Sequence, residues 1–97
     1  MNIPSTVKIG AIIYDVVIEE IVNNSLFENK LWGHIEFDEC KIYLHGGVNE
    51  QILDEIFMHE VIHGIEHNFC LDFKESEVDR LSHGITAFLK ENLLLKE

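Results

Sequence analysis

The chain has 97 residues, of which 46% are hydrophobic and 26% are charged, with one proline and six glycines. This length predicts a single domain over residues 1–97, and the composition is that of a globular protein rather than of a disordered or collagen-like chain. The formal charge of −11 argues against a surface that wraps a nucleic-acid backbone or coats an anionic membrane. Nucleic acids and membranes are therefore not expected as partners.

The N-terminal residues and the two cysteines favour a cytoplasmic protein. Residues 1–6 lack a basic segment followed by a long apolar run, so they do not resemble a secretory signal. The apolar runs are also far too short for a membrane span. Cys40 and Cys70 form no Cys-x-x-Cys pair, and we expect reduced core thiols, with a single disulfide as the alternative. Any metal site is expected to use histidine and carboxylate ligands.

The first half of the chain has the composition and alternation of strands. Residues 7–20 are rich in Ile and Val, which predicts a strand that is bent, or paired with itself, around Gly10. Residues 23–30 are turn-like and have room for one helical turn. Residues 32–45 alternate apolar and polar side chains on either side of Asp38-Glu39, which predicts a β-hairpin with these two residues at its tip.

The second half predicts two helices. Asn49 is a suitable N-cap for a helix that runs to about Phe69. The apolar residues of this helix cover most of the helical wheel, so we expect it to be buried at the centre of the domain. A second helix is expected to begin near Asp72, in a capping box with Glu75. Its apolar stripe should pack against the first helix and consists of Val78, Leu81, Ile85, Phe88 and Leu89.

These elements predict an α+β fold, in which a small antiparallel sheet packs on two helices. The sheet would consist of the N-terminal strand and the hairpin. The first helix would be buried and would carry the sequence His-Glu-Val-Ile-His.

This sequence, from His59 to His63, is the candidate for chemistry. Two histidines four residues apart lie on one helix face, so both imidazoles can reach a single tetrahedral zinc ion. Glu60 is turned away from that axis and can instead reach a water molecule in the fourth position, as the general base of a zinc peptidase does.

Chance and burial offer a second explanation. The pattern arises by accident in roughly one such composition in twenty. Both histidines would then be packed or hydrogen-bonded core residues. However, two histidines and a glutamate in a mostly apolar helix are costly to bury without a partner, and a metal ion provides one.

A catalytic zinc needs a third protein ligand. His67 is about 12 Å along the helix axis from His59 and cannot share an ion with it, so we expect a helix-end or surface histidine. Six residues after His63, where a longer motif has a third histidine, the residue is Phe69.

The second helix supplies better candidates. Glu75 and Asp79 are four residues apart, so one can bind zinc while the other accepts a hydrogen bond from the far nitrogen of a ligand histidine. Glu77 points away from this pair and is expected to be solvated. The residues alone leave open whether Glu75, Glu77 or Asp79 is the third ligand, and Glu75 can also be a capping carboxylate without a metal role.

The sequence His-Glu-x-x-His, followed by Glu-x-x-x-Asp on the next helix, resembles the gluzincin pattern. Residues 32–92 resemble the ImmA/IrrE-like minimal metallopeptidases, particularly the short forms carried by bacteriophages and mobile elements. The resemblance implies one zinc ion as cofactor, with His59, His63 and Glu75 as ligands. It also implies that Glu60 is the catalytic base and that Asp79 orients a ligand. The chain departs from the better-known members after Asp79.

We therefore expect a cytoplasmic zinc metallopeptidase that hydrolyses a peptide bond in a protein or peptide substrate, with Glu60 as general base. A regulatory protein is a further candidate partner. His83 is a candidate donor to the transition state, with Tyr43 and His45 as alternatives. Two other functions compete with this one: a catalytically inactive, zinc-stabilised interaction module of phage or mobile-element origin, and a metal-free acidic interaction protein.

Overall fold

The computed structural model describes residues 2–19 and 32–92. The turn predicted at residues 23–30 lies outside them. The described residues form four strands and two helices, which confirms the α+β class. In chain order these elements are β1 (Thr6–Ile9), β2 (Ile12–Glu19), β3 (Gly33–Glu36), β4 (Lys41–His45), α1 (Glu50–Phe69) and α2 (Glu75–Glu91).

The sheet is built from two β-hairpins. Strands β1 and β2 pair antiparallel through Ile9 and Ile12, so the N-terminal segment is paired with itself around Gly10. Gly10 has φ +62°, a left-handed conformation that glycine adopts without steric cost. Strands β3 and β4 also pair antiparallel, and the residues between them form the predicted turn that includes Asp38 and Glu39.

The sheet is mixed, and the prediction of an antiparallel sheet was wrong. The strand order is β1-β2-β4-β3, and the two hairpins join through β2 and β4, which run parallel with Val16 beside Ile42 and Ile18 beside Leu44. The direction of a strand could not be predicted from its side chains, because apolar and polar residues alternate with period two in either direction. The two edges of the sheet are the four-residue strands β1 and β3.

Helix α1 is the middle layer of the domain. On one side, Phe57 packs against buried residues of the sheet: Ile9, Tyr14, Ile35, Ile42 and Leu44. On the other side, Met58 and Ile62 pack against Val78 of α2. The C-terminal turns of α1 are open to solvent, since Ile65 is 36% exposed and Phe69 is 58% exposed. The helix is thus covered on two faces rather than enclosed on all sides.

The face of α2 that contacts α1 differs from the predicted apolar stripe. Val78 and the partly buried Leu89 pack on α1 as expected. Between them, Ser82 and Thr86 are buried, at 3% exposure each. The remaining members of the stripe lie on the outer side, at 37–58% exposure: Leu81, Ile85 and Phe88. The burial of its largest apolar residues therefore does not determine how α2 is rotated about its axis.

The start of α2 also differs from the prediction. No capping box joins Asp72 to Glu75, because α2 begins at Glu75 with Lys74 as N-cap. The Lys74 N–H donates to Glu77 Oε1 at 2.8 Å, so Glu77 caps the helix rather than being only solvated. For α1 the predicted cap is confirmed, since the Ile52 N–H donates to Asn49 Oδ1 at 2.9 Å.

The two cysteines are free thiols, and no disulfide joins them. Cys40 is partly buried, but Cys70 is exposed at the C-terminal end of α1, so the expectation of a core thiol was wrong for Cys70. Neither of the helices in residues 2–19 and 32–92 combines the length and apolar character needed to cross a bilayer.

The two helical glycines differ in how much free space surrounds them. A Cβ on Gly64 would lie 2.7 Å from Ile9 Cδ1 and 3.3 Å from Ile35 Cδ1, whereas a Cβ on Gly84 would meet nothing within 4 Å. Gly64 therefore lets α1 lie directly on the sheet, and Gly84 has no such role.

We expect Gly64→Leu to lower the free energy of unfolding by about 1–3 kcal/mol, because the side chain would force α1 away from the sheet. The matched variant Gly84→Leu should raise it by about 0.5–1 kcal/mol through higher helix propensity. Urea unfolding followed by circular dichroism at low protein concentration measures both values. Equal effects at the two positions would contradict this description of the packing.

Candidate metal centre

Two histidines of α1 direct a nitrogen atom toward the same point. His59 and His63 are four residues apart, so they lie one turn apart on the same face of the helix. Their Nε2 atoms are 3.1 Å apart, and their rings meet edge to face with centroids 4.8 Å apart. The side chains are 17% and 27% exposed, so both nitrogens are largely shielded from water.

Glu75, the first residue of α2, lies against both nitrogens. Its Oε1 is 2.6 Å from Nε2 of His59, and its Oε2 is 3.3 Å from Nε2 of His63. Each of the three residues offers one atom that could bind a metal ion, and these three atoms all lie within 4.8 Å of one another. The Glu75 side chain is 66% exposed, so it closes this group from the solvent side.

The other nitrogen of each histidine contacts a different carboxylate. Nδ1 of His59 is 2.8 Å from Asp79 Oδ1, the residue for which this contact was expected. Nδ1 of His63 is 2.8 Å from Glu66 Oε1, a contact that sequence reasoning missed. Its only signal in the sequence is spacing, because residues three apart on a helix are neighbours.

These contacts determine which nitrogens are free to bind a ligand. An ionised carboxylate only accepts hydrogen bonds, so a neutral ring that donates from Nδ1 to its carboxylate partner keeps the lone pair of Nε2. Two lone pairs from His59 and His63 then converge with a carboxylate oxygen of Glu75. Three acceptors at such short distances repel one another unless a proton or a metal cation lies between them.

Two of the three distances between these atoms fit a zinc ion. Zinc binds histidine nitrogen and carboxylate oxygen at about 2.0–2.2 Å in a tetrahedron, which places neighbouring ligand atoms about 3.3 Å apart. The His63 nitrogen is 3.1 Å from that of His59 and 3.3 Å from the Glu75 oxygen. The third side of the triangle, at 2.6 Å, has the length of a charge-assisted hydrogen bond. Two histidines and one glutamate also form a known set of catalytic zinc ligands.

Glu60 lies beside this group on the side of the sheet. Its side chain points toward Gly33 of β3, where a Cβ would come within 3.1 Å of Glu60 Oε2 and 2.5 Å of Ile56 Cγ2. A Cβ at position 33 would therefore overlap Ile56 and crowd the Glu60 carboxylate. Glu60 is 7% exposed, and burial raises its pKa, an effect that the nearby His59 and His63 partly oppose.

Most of these acidic and histidine side chains, but not His63, line one cleft of about 420 Å³. Helices α1 and α2 form two of its walls, and Trp32 and Gly33 form the rim at the edge of the sheet. Trp32 is 47% exposed. The remaining lining residues are Ile52, Glu55, Ile56, His59, Glu60, Glu75, Asp79, Ser82 and His83.

The candidate transition-state donors occupy different places. His83 lines the cleft, but its Nδ1 contacts Glu55 Oε1 at 2.9 Å rather than the His59–His63 pair. Tyr43 and His45 do not line the cleft. Tyr43 donates to Glu39 Oε1 at 3.0 Å.

His67 lies outside the group of three ligands. Its ring stacks on Phe37 with centroids 3.9 Å apart.

Comparison with family models, with curated proteins and with solved structures finds no match to this chain. The resemblance to minimal metallopeptidases stays a prediction from the motif residues.

The buried Glu60 makes the stability of the metal-free protein depend on pH. Its pKa in the folded protein is raised above the ordinary 4.5, so the folded state holds this proton more tightly than the unfolded chain does. Stability is therefore lost as the pH rises through the interval between the two pKa values. At pH values above that interval the ionised carboxylate destabilises the metal-free fold.

We expect Glu60→Gln to increase the free energy of unfolding of the metal-free protein more at pH 7.5 than at pH 4, because the amide cannot ionise. Urea unfolding in the presence of a chelator measures this difference. Glu91→Gln, which changes an exposed carboxylate on α2, is the control and should have the same small effect at both pH values. A gain that does not vary with pH would contradict the prediction.

Proposed function

We propose that this protein is a zinc-dependent metallopeptidase that hydrolyses a peptide bond in a protein or peptide substrate. One observation carries the proposal: Nε2 of His59, Nε2 of His63 and the Glu75 carboxylate converge at the wall of a cleft that is lined by His59, Glu75 and the buried Glu60. A metal-binding group next to a desolvated base is the arrangement that hydrolysis by an activated water requires.

In this proposal His59, His63 and Glu75 hold the zinc ion. Zinc, when bound, lowers the pKa of a coordinated water and polarises the carbonyl that is attacked. Asp79 keeps the His59 proton on Nδ1, so that Nε2 of His59 is available as a ligand. The exposed Glu75 faces the solvent side of the cleft, where a substrate enters.

Glu60 is the general base and acid of the proposed reaction. Its carboxylate takes the proton of the attacking water and delivers it to the amine that leaves. Burial raises its pKa, which makes it a better proton acceptor than an exposed glutamate and a competent donor in the second step. Gly33 supports this role by leaving space for the carboxylate beside β3.

The edge strand β3 is the proposed binding surface for an extended peptide. The His45 N–H donates to the Trp32 carbonyl at 2.8 Å. Backbone groups of an antiparallel pair alternate, so Gly33 and Ile35 direct their N–H and C=O groups away from β4. A peptide can pair with these groups as an added strand, which places it along the rim of the cleft.

The proposal includes a cytoplasmic location, in the host cytoplasm if the protein is encoded by a phage. It also retains the kinship with ImmA/IrrE-like minimal metallopeptidases and a regulatory protein as a candidate partner. His83 is retained as a candidate donor to the transition state. It would have to leave Glu55 in order to act.

A second candidate function is a zinc-stabilised interaction module without catalysis. The observation that favours it is that the three ligands come from both helices, so that a metal ion would join α1 to α2 whether or not a reaction follows. Metal binding then contributes directly to the free energy of folding.

Zinc binding is the first test of the proposal. We expect the purified wild type to bind stoichiometric zinc, as measured by elemental analysis and by competition with a chelating dye. His59→Ala, His63→Ala and Glu75→Ala should each weaken binding by more than the roughly 10–100-fold that loss of an orienting hydrogen bond costs. His67→Ala is the matched control on the same helix and should bind zinc normally. Zinc-free wild type would sink both zinc-dependent functions.

Metal removal should also lower thermal stability. Zinc supplied at about 100 times its Kd stabilises a folded state that alone binds it by about 2.7 kcal/mol. A chelator should therefore lower the Tm of the wild type and leave the Tm of His59→Ala unchanged, as measured by differential scanning calorimetry. An identical shift in both proteins would mean that the chelator acts elsewhere.

Hydrolysis separates the two zinc-dependent functions. With a casein substrate and a library of quenched fluorescent peptides, we expect cleavage by the wild type and a rate lower by about 10²–10⁴-fold in Glu60→Gln, because proton transfer is lost. Zinc content should not fall in this variant, since Glu60 is not a ligand. Glu91→Gln should cleave like the wild type. A wild type that holds zinc but cleaves none of these substrates would favour the interaction module.

A further inference from the structure

Glu66 is a carboxylate beside the site that takes no part in the proton transfers of the proposed reaction. It lies on α1, three residues after His63, and its side chain is 13% exposed. Its Oε1 is 2.8 Å from Nδ1 of His63. Its Oε2 accepts a hydrogen bond of 2.8 Å from the backbone N–H of Phe73, in the connection between the two helices. A nearly buried side chain thus bridges a candidate ligand and the chain that leads to α2.

Both partners of Glu66 are hydrogen-bond donors. The backbone N–H of Phe73 can only donate, and His63 must donate from Nδ1 if its Nε2 is to bind a metal ion. Two donors on one side chain require two acceptors. A carboxylate has two acceptor oxygens, whereas the amide of glutamine has one acceptor and one donor group. The position therefore calls for glutamate specifically, although glutamine has the same size and shape.

The backbone of Glu66 holds the same connection. Its carbonyl accepts the N–H of Cys70, which caps α1, and the N–H of Leu71 at 3.0 Å. Together with the Phe73 contact, these bonds fix the path of residues 70–73. Glu75 follows only two residues later, at the start of α2. The placement of Glu75 over the histidines therefore depends on the turn that Glu66 organises.

We propose that Glu66 is a positioning residue of the metal centre, which fixes the Nδ1–H tautomer of His63 and, through Phe73, the approach of Glu75. It acts on two of the three ligands and touches neither the substrate nor the metal ion. The inference rests on the proposed zinc site.

Glu66→Gln is the test, because the amide fits the space but cannot accept from both donors. We expect zinc affinity to fall by about 10–100-fold, the usual cost of losing a group that orients a ligand. In the zinc-free variant at a pH where the rings are neutral, ¹⁵N NMR of the imidazoles should show that His63 loses its Nδ1–H preference. His59 is the internal reference and should keep its tautomer, since Asp79 is unchanged.

Glu77→Gln is the matched control variant. Glu77 also binds a backbone N–H in the connection, that of Lys74 at 2.8 Å, but an amide can still accept this single hydrogen bond. We expect unchanged zinc affinity and unchanged histidine tautomers. Circular dichroism of both variants verifies that they fold.

The outcomes distinguish this inference from the proposed function. If the wild type binds no zinc, the proposed function fails. If the wild type binds zinc and Glu66→Gln binds it equally well, the positioning role is overturned, and weaker binding with His63 in its original tautomer overturns the tautomer role. If Glu66→Gln does not fold, the zinc-free wild type decides, because finding the Nε2–H tautomer at His63 would overturn the inference without any variant.

Discussion

The contact between α1 and α2 sets the rotation of α2 about its own axis, and both the packing and the candidate site depend on that rotation. With Val78 against α1 and Ser82 buried, the first turns of α2 bring Glu75 and Asp79 to the two nitrogens of His59. The same rotation leaves Phe88, which is 58% exposed, on the outside. The rotation that buries these small polar residues is thus the same rotation that brings the candidate ligands together.

The electrostatic cost of holding carboxylates and histidine nitrogens close together explains why the site is built from so many interacting side chains. A carboxylate held away from water, such as Glu60, raises the free energy of the folded protein. Near it, Nε2 of His59 and Nε2 of His63 face the Glu75 carboxylate, an arrangement that a proton or a metal cation stabilises. In a chain with a formal charge of −11, a divalent cation in this place would remove repulsion as well as add bonds. The fold therefore gives up stability at this site, as is common where a protein binds a ligand.

Local patterns predicted much of this molecule, and the contacts between distant segments account for what they missed. The i, i+4 spacing of the histidines, the Asn49 cap and both hairpin turns depend on neighbours in sequence, so they could be predicted. The parallel pairing of β2 with β4 and the start of α2 depend on tertiary contacts. The start of α2 follows a connection that Glu66 holds through its hydrogen bond from the Phe73 N–H. No local sequence pattern predicts this bond.

The shortness of strand β3 limits what the edge of the sheet can select. Its four residues extend over roughly 13 Å, and the backbone groups of only about two of them face outward. Main-chain pairing would thus bind only a very short stretch of a target and would not depend on the side chains of that stretch. A target that is itself folded would have to offer an already extended loop or terminus, so that access to such a segment, rather than its sequence, would decide which bond enters the cleft.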